Sequence, residues 1–137
     1  CFEVYVGTKG LALTYCEVFY ENFNNLSRET VFHIARKMTD GLKSKDPRWQ
    51  AVFTHYALDL AEGLKNIVLV HNPECIVLGG GIIEGNPRLV NLVRRLLNSV
   101  ETSMKPMFND LVIKTPGIKN PGVAGAAAYA MHMMSVK

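Results

Sequence analysis

Much that would narrow a function at once is missing from this chain. No apolar run approaches the roughly 20 residues that a membrane-spanning helix needs, and no signal-peptide pattern is visible. Cysteine is scarce: Cys1, Cys16 and Cys75 are the only three in 137 residues, and they stand far apart. That spacing is no disulfide framework, and it favours a cytoplasmic over a secreted protein. Charge of one sign does not dominate, with 15 Lys and Arg against 12 Asp and Glu, a formal net charge of +3. The cations are scattered (Lys43, Lys45 and Arg48, then Arg94 and Arg95) rather than gathered into a stripe. Nucleic acid is therefore disfavoured as the main partner of these residues. There is no Gly-x-Ser-x-Gly and no His-Glu-x-x-His. His33, His55, His71 and His132 show neither metal spacing nor a paired nucleophile. His55 and Tyr56 lie mid-helix, where a satisfied, half-buried role is the plain reading. His71, where a helical pattern ends, suits the negative end of a helix dipole.

What the chain does have is a core. Hydrophobic residues make up 48% and charged residues 20%, an ordinary globular composition of a length suited to one domain. The first residues, Cys-Phe-Glu, include no Met and enter a helical pattern directly, so the chain reads as the C-terminal piece of a longer protein. Residues 3–23 carry Val4, Leu11, Tyr15, Val18 and Phe19 broadly at helical spacing, with Gly7 and Gly10 weakening the first turns. Ser27 is a candidate N-cap for a second helix to about Thr39, with Val31, Ile34, Ala35 and Met38 on one face. The clearest pattern runs from Pro47 to Val70, where Trp49, Val52, Phe53, Tyr56, Leu60, Leu64, Ile67 and Val68 repeat at three- and four-residue steps. It should stop before Asn72-Pro73. Cys75–Leu78 reads as a strand. Pro87 to about Met104 is a helix with Asn86 as its N-cap, Leu111–Lys114 a second short strand, 115–122 a loop, and Val123 to about Met134 a closing helix. Helices followed by strand–helix–strand–helix make a mixed, helix-rich α/β domain.

Three consecutive glycines, Gly79, Gly80 and Gly81, end the first strand just before a helix. Without side chains, backbone N–H groups can approach a phosphate or a ribose closely. A tight turn explains the pattern equally well. Glu84 stands where the last glycine of a dinucleotide-binding Gly-x-Gly-x-x-Gly would be, and no Gly-Lys-Ser/Thr follows, so neither pattern is met and a nicotinamide or P-loop enzyme is disfavoured. Gly125-Ala-Ala-Ala128 predicts close helix–helix packing, with a hinge surface as the alternative. Taken alone, Cys1 reads as a small apolar residue and Glu3 as a solvated carboxylate on a first helical turn.

Four segments together resemble the C-terminal part of the ROK family of sugar kinases, repressors and uncharacterised open reading frames. Cys1-Phe2-Glu3 resembles the end of the family's Cys-x-Cys-Gly-x-x-Gly-Cys-x-Glu signature. Leu64 to Pro73 is similar to the long helix leading into Asn-Pro, Ile76 to Ile82 to the glycine-rich strand end, and Val123 to Ala128 to the Gly-Ala-Ala closing helix. The resemblance covers essentially all of residues 1–137.

That resemblance implies the C-terminal, nucleotide- and sugar-binding lobe of an actin-like ATPase (ribonuclease H-like) fold, with an N-terminal lobe of the same protein as partner and a homodimer as the expected assembly. It implies ATP, with Mg²⁺, at Gly79, Gly80 and Gly81. It makes Glu3 a ligand of sugar hydroxyls, and Cys1 one of three cysteines that, with a histidine, hold a structural Zn²⁺. Gly125 falls at the crossing between lobes. The catalytic aspartate, the phosphate loop and the other zinc ligands would lie outside this chain. The expected activity is ATP-dependent phosphorylation of a hexose or N-acyl hexosamine. The alternative is the sugar-sensing domain of a repressor, marked by a helix-turn-helix upstream and with nucleic acid as a partner in that case alone. Gly7-Thr8-Lys9-Gly10 departs from the Ala-Ser-Gly that follows the signature glutamate in the family.

Overall fold

Glycine, proline and short polar caps set most of the element boundaries. The computed structural model describes residues 2–41, 45–99, 103 and 105–135. The helix expected over 3–23 is two helices, α1 (Glu3–Val6) and α2 (Thr8–Phe19), parted by an extended residue at Gly7. The chain turns so tightly there that a β carbon on Gly10 would stand 2.0 Å from the Tyr5 carbonyl oxygen, so glycine alone permits this corner. Tyr20 closes α2 in the left-handed conformation, at φ 58°. In α3 (Arg28–Gly41), Ser27 Oγ accepts the Thr30 N–H at 3.1 Å, as an N-cap should. Helix α4 (Pro47–His71) has Pro47 in its first turn and Asp46 accepting the Arg48 N–H at 3.0 Å. It ends at a left-handed Asn72, one residue later than the sequence pattern suggests.

The second half holds β1 (Cys75–Val77), α5 (Gly81–Glu84), α6 (Pro87–Asn98), α7 (Pro106–Asn109), β2 (Val112–Lys114) and α8 (Pro121–Ser135). Helix α6 stops at Asn98 rather than near Met104, and Ser99 Oγ donates to the Leu96 carbonyl at 2.8 Å in its last turn. Helices α5 and α7 are single turns, too short to leave a periodic trace in sequence. Strands β1 and β2 pair in parallel, with Ile76 opposite Ile113. Arg94 on α6 donates from Nη2 to the Ile113 carbonyl at 2.6 Å and so ties the crossover helix to the strand it leads to.

The core is built around α4. Val52, Tyr56, Leu60, Leu64 and Val68 form a buried stripe at four-residue steps. Leu11 and Ala12 of α2, Ile34 and Met38 of α3, Leu89, Val93 and Leu97 of α6, and Ile113 of β2 join it in one cluster. Each fully buried Leu or Val contributes about 1.5–3 kcal/mol relative to exposure. Tyr15, Phe19 and Trp49 stack at the rim, with ring centroids 4.4–5.4 Å apart. The sheet is one-sided: Ile113 is buried, while Val77 and Val112 are exposed on the other face. Helix α8 buries none of its residues, and a β carbon on Gly125 would meet nothing within 4 Å. The close helix packing expected of Gly125–Ala128 is thus not made among the described residues. A helix-rich chain with one parallel strand pair is compatible with the α/β class. No helix among the described residues is long and apolar enough to cross a membrane.

Candidate functional site

The strand pair delivers the triple glycine. Beyond β1, the Leu78 N–H donates to the Lys114 carbonyl at 2.8 Å, which holds the start of the loop to β2. Gly79 lies close to the second loop, since a β carbon there would stand 3.2 Å from Pro116 Cγ. Gly80 has φ 104° and ψ 160°, a region essentially open to glycine alone. Gly81 opens α5. Around both Gly80 and Gly81 an added β carbon would meet nothing within 4 Å. Backbone geometry requires glycine at 80, whereas neither geometry nor any described neighbour requires it at 81.

These glycines line a pocket of about 810 Å³, facing Gly7 and Thr8 of the α1–α2 corner, with Arg36 of α3 on its wall. Tyr56 and Leu60 of α4 supply apolar lining. Among the described residues, Arg36 is the one charged side chain in the lining, and none of them brings a carboxylate to it. Its walls therefore offer hydrogen-bond donors and a positive charge to an anion, and apolar surface to a ring. The Gly80 N–H already draws an anion of the chain itself, Glu84 Oε1, at 3.3 Å.

Two buried polar side chains fix the pocket's edges. The Tyr56 hydroxyl donates to the Val6 carbonyl and pins the α1–α2 corner to α4. Burial pushes that phenol up to about 12. Asn86 stands at the N-cap position of α6, as expected, but its side chain makes no cap bond to that helix. Its Nδ2 donates instead to the Ile82 carbonyl at 2.8 Å, bracing the far end of the glycine loop.

The expected site residues do not all converge. Gly79, Gly80 and Gly81 share the pocket. Glu3, exposed at the start of α1, does not line it; its carbonyl accepts the Gly7 N–H at 2.7 Å, and its Cγ would lie 3.5 Å from a β carbon on Gly7. Glu3 thus borders a residue that does line the pocket. Cys1 lies outside the described residues, and among those described no group of three or more His, Cys, Asp or Glu could hold a metal ion. Gly7, Thr8 and Arg36 were not singled out by sequence as site residues. In sequence, Gly7 weakens the first helical turns and belongs to the Gly7-Thr8-Lys9-Gly10 departure from the family pattern, while Arg36 carries no signal of its own. The available signal was the Gly7-Thr8 pair one turn after Glu3.

Comparison with known proteins agrees with the sequence motifs. A fructokinase of Lactococcus lactis subsp. cremoris is 31% identical over 85 residues, covering 61% of this chain and 28% of the relative. The chain thus matches under a third of that relative's length. The model of the ROK family matches residues 1–133, nearly the whole sequence. With that match, and with the glycine-rich strand end and the long helix before it in place, the chain belongs to the ROK family.

Proposed function

We propose that these residues form the C-terminal, nucleotide- and sugar-binding lobe of an ATP-dependent sugar kinase with an actin-like fold, acting on a hexose or N-acyl hexosamine. The observation that carries this reading is the pocket in which Gly79–Gly81 meet Gly7 and Thr8 beneath Arg36. Its chemistry suits ATP. The loop N–H groups and Arg36 would take phosphate oxygens, and the lining of Leu60, Leu78 and Ile83 would take the base or ribose. The open space over Gly81 lets the ligand reach the backbone. With no carboxylate among the described lining residues, Mg²⁺ would be carried on the phosphates and held from elsewhere. Glu3, bordering Gly7, would accept hydrogen bonds from sugar hydroxyls. A zinc ion has no donor set among the described residues.

The division of labour is positional. These residues bind and orient, while the proton-accepting carboxylate would come from the rest of the protein. Phosphoryl transfer depends chiefly on alignment and charge stabilisation, so orientation alone is a large contribution.

The test is steady-state kinetics of the intact protein on a panel of sugars, read by ADP release. Turnover is expected on at least one hexose. Gly81→Val keeps the backbone N–H but fills the space over it, so that a phosphate held off that donor loses about one charged hydrogen bond and the KM for ATP should rise about 10- to 100-fold, with the sugar KM little changed. Glu3→Ala should do the converse. Absence of turnover on every sugar, or unchanged KM values in both variants, sinks the proposal.

A further inference from the structure

A second groove carries a different chemistry. It lies between α4 and α6, measures about 660 Å³ and is lined by Gln50, Phe53, Thr54, Arg88, Asn91, Leu92 and Arg95. Arg88 and Arg95 sit two turns apart on one face of α6, about 10.5 Å along its axis. Neither guanidinium forms an ion pair among the described residues. Asn91 Oδ1 accepts a hydrogen bond from Arg94 Nη1 at 3.0 Å, so its NH₂ remains as a donor. The Thr54 hydroxyl adds another. Among the described residues no carboxylate lines the groove, while Phe53 and Leu92 give it an apolar floor.

We infer that this groove binds a small organic phosphate. The guanidinium fork matches phosphate oxygens two at a time, and a second fork 10.5 Å away suits a molecule carrying anionic groups at both ends. The volume falls within the range of small-molecule sites, about 300–1,000 Å³. A carbon skeleton between the phosphates would rest on Phe53 and Leu92. The net charge of +3 favours the approach of an anion. The groove is separate from the glycine pocket but two residues from it, since Asn86 lines the one and Arg88 the other.

Isothermal titration of the intact protein with fructose 1,6-bisphosphate as probe tests the inference, in the presence of excess ATP to occupy the glycine pocket. Wild type should bind the probe. The double variant Arg88→Gln, Arg95→Gln should bind it about 10- to 100-fold more weakly, with unchanged circular dichroism and melting, because both side chains are exposed. Arg88→Lys with Arg95→Lys, which keeps charge but loses the fork, should fall between. Glu3→Ala should leave probe binding intact. Equal affinity in wild type and the Gln variant overturns the inference. So does loss of probe binding in Glu3→Ala alone, and so does a glutamate-rich peptide that outcompetes the probe at equal concentration, which would make the groove a protein-docking surface.

Discussion

Tyr56 joins the core to the site through a single hydroxyl. Its ring is buried among the side chains of the core, and its O–H holds the Val6 carbonyl at the corner that leads to Gly7 and Thr8. Because the folded protein raises this phenol above its ordinary value, the native state keeps the proton to higher pH than the unfolded chain does. The stability that follows is fully present below about pH 10 and is lost as pH rises toward 12. Two units correspond to about 3 kcal/mol. Tyr15, raised by burial first and then by its hydrogen bond to Glu21, acts in the same direction. Urea unfolding across pH 8–12 should show this decline, and Tyr56→Phe should flatten most of it while costing about 1 kcal/mol at neutral pH. Parallel pH profiles for the two proteins would contradict the assignment. In sequence, the periodicity places Tyr56 on the inner face of its helix. The identity of its partner was not legible, because Val6 lies 50 residues away and the bond depends on how α1 is turned.

Among elements, legibility tracked length. Helix α4 has seven turns of apolar repeat, an aspartate cap and an Asn-Pro stop, each a local signal, and its predicted limits differ from the observed ones by a single residue. Single-turn helices α5 and α7 leave no period, and the early end of α6 depends on a C-terminal turn that its apolar pattern does not encode. The closing helix was predicted to pack through Gly125–Ala128. Its start at Pro121 fits proline's preference for a first turn, yet its small residues pack on nothing described. These two helices should differ in amide exchange. Interior amides of α4 should be among the slowest, opening only with the whole core, while α8 should exchange near the rate of a frayed helix in the isolated 137-residue chain. Mass-resolved exchange showing α8 as slow as α4 would mean that its surface is covered.

Over the whole molecule, one apolar cluster links α2, α3, α4, α6 and β2, and α8 adds no buried residue to it. Deleting residues 121–137 should therefore leave the urea midpoint of this chain unchanged within error, and a clear drop would show that α8 contributes to the folded core. The site shows the same split between local and distant information. The triple glycine was visible as a motif, because strand, glycines and helix are consecutive. Arg36 and Thr8 reach the pocket from helices that only the packing of α2 and α3 on α4 brings there.

Gly10 and Gly81 now stand apart as two kinds of glycine. The corner at Gly10 is dictated by the chain's own carbonyl at Tyr5, whereas Gly81 has empty space around it. Mutation would therefore meet two different filters. Any lineage that keeps the fold must keep residue 10. If the proposed nucleotide role holds, one that loses that role is free to fill position 81 with a side chain at no cost in backbone strain. Across descendants of this sequence, residue 81 would act as a record of whether the pocket is still in use, and residue 10 would stay silent on that question.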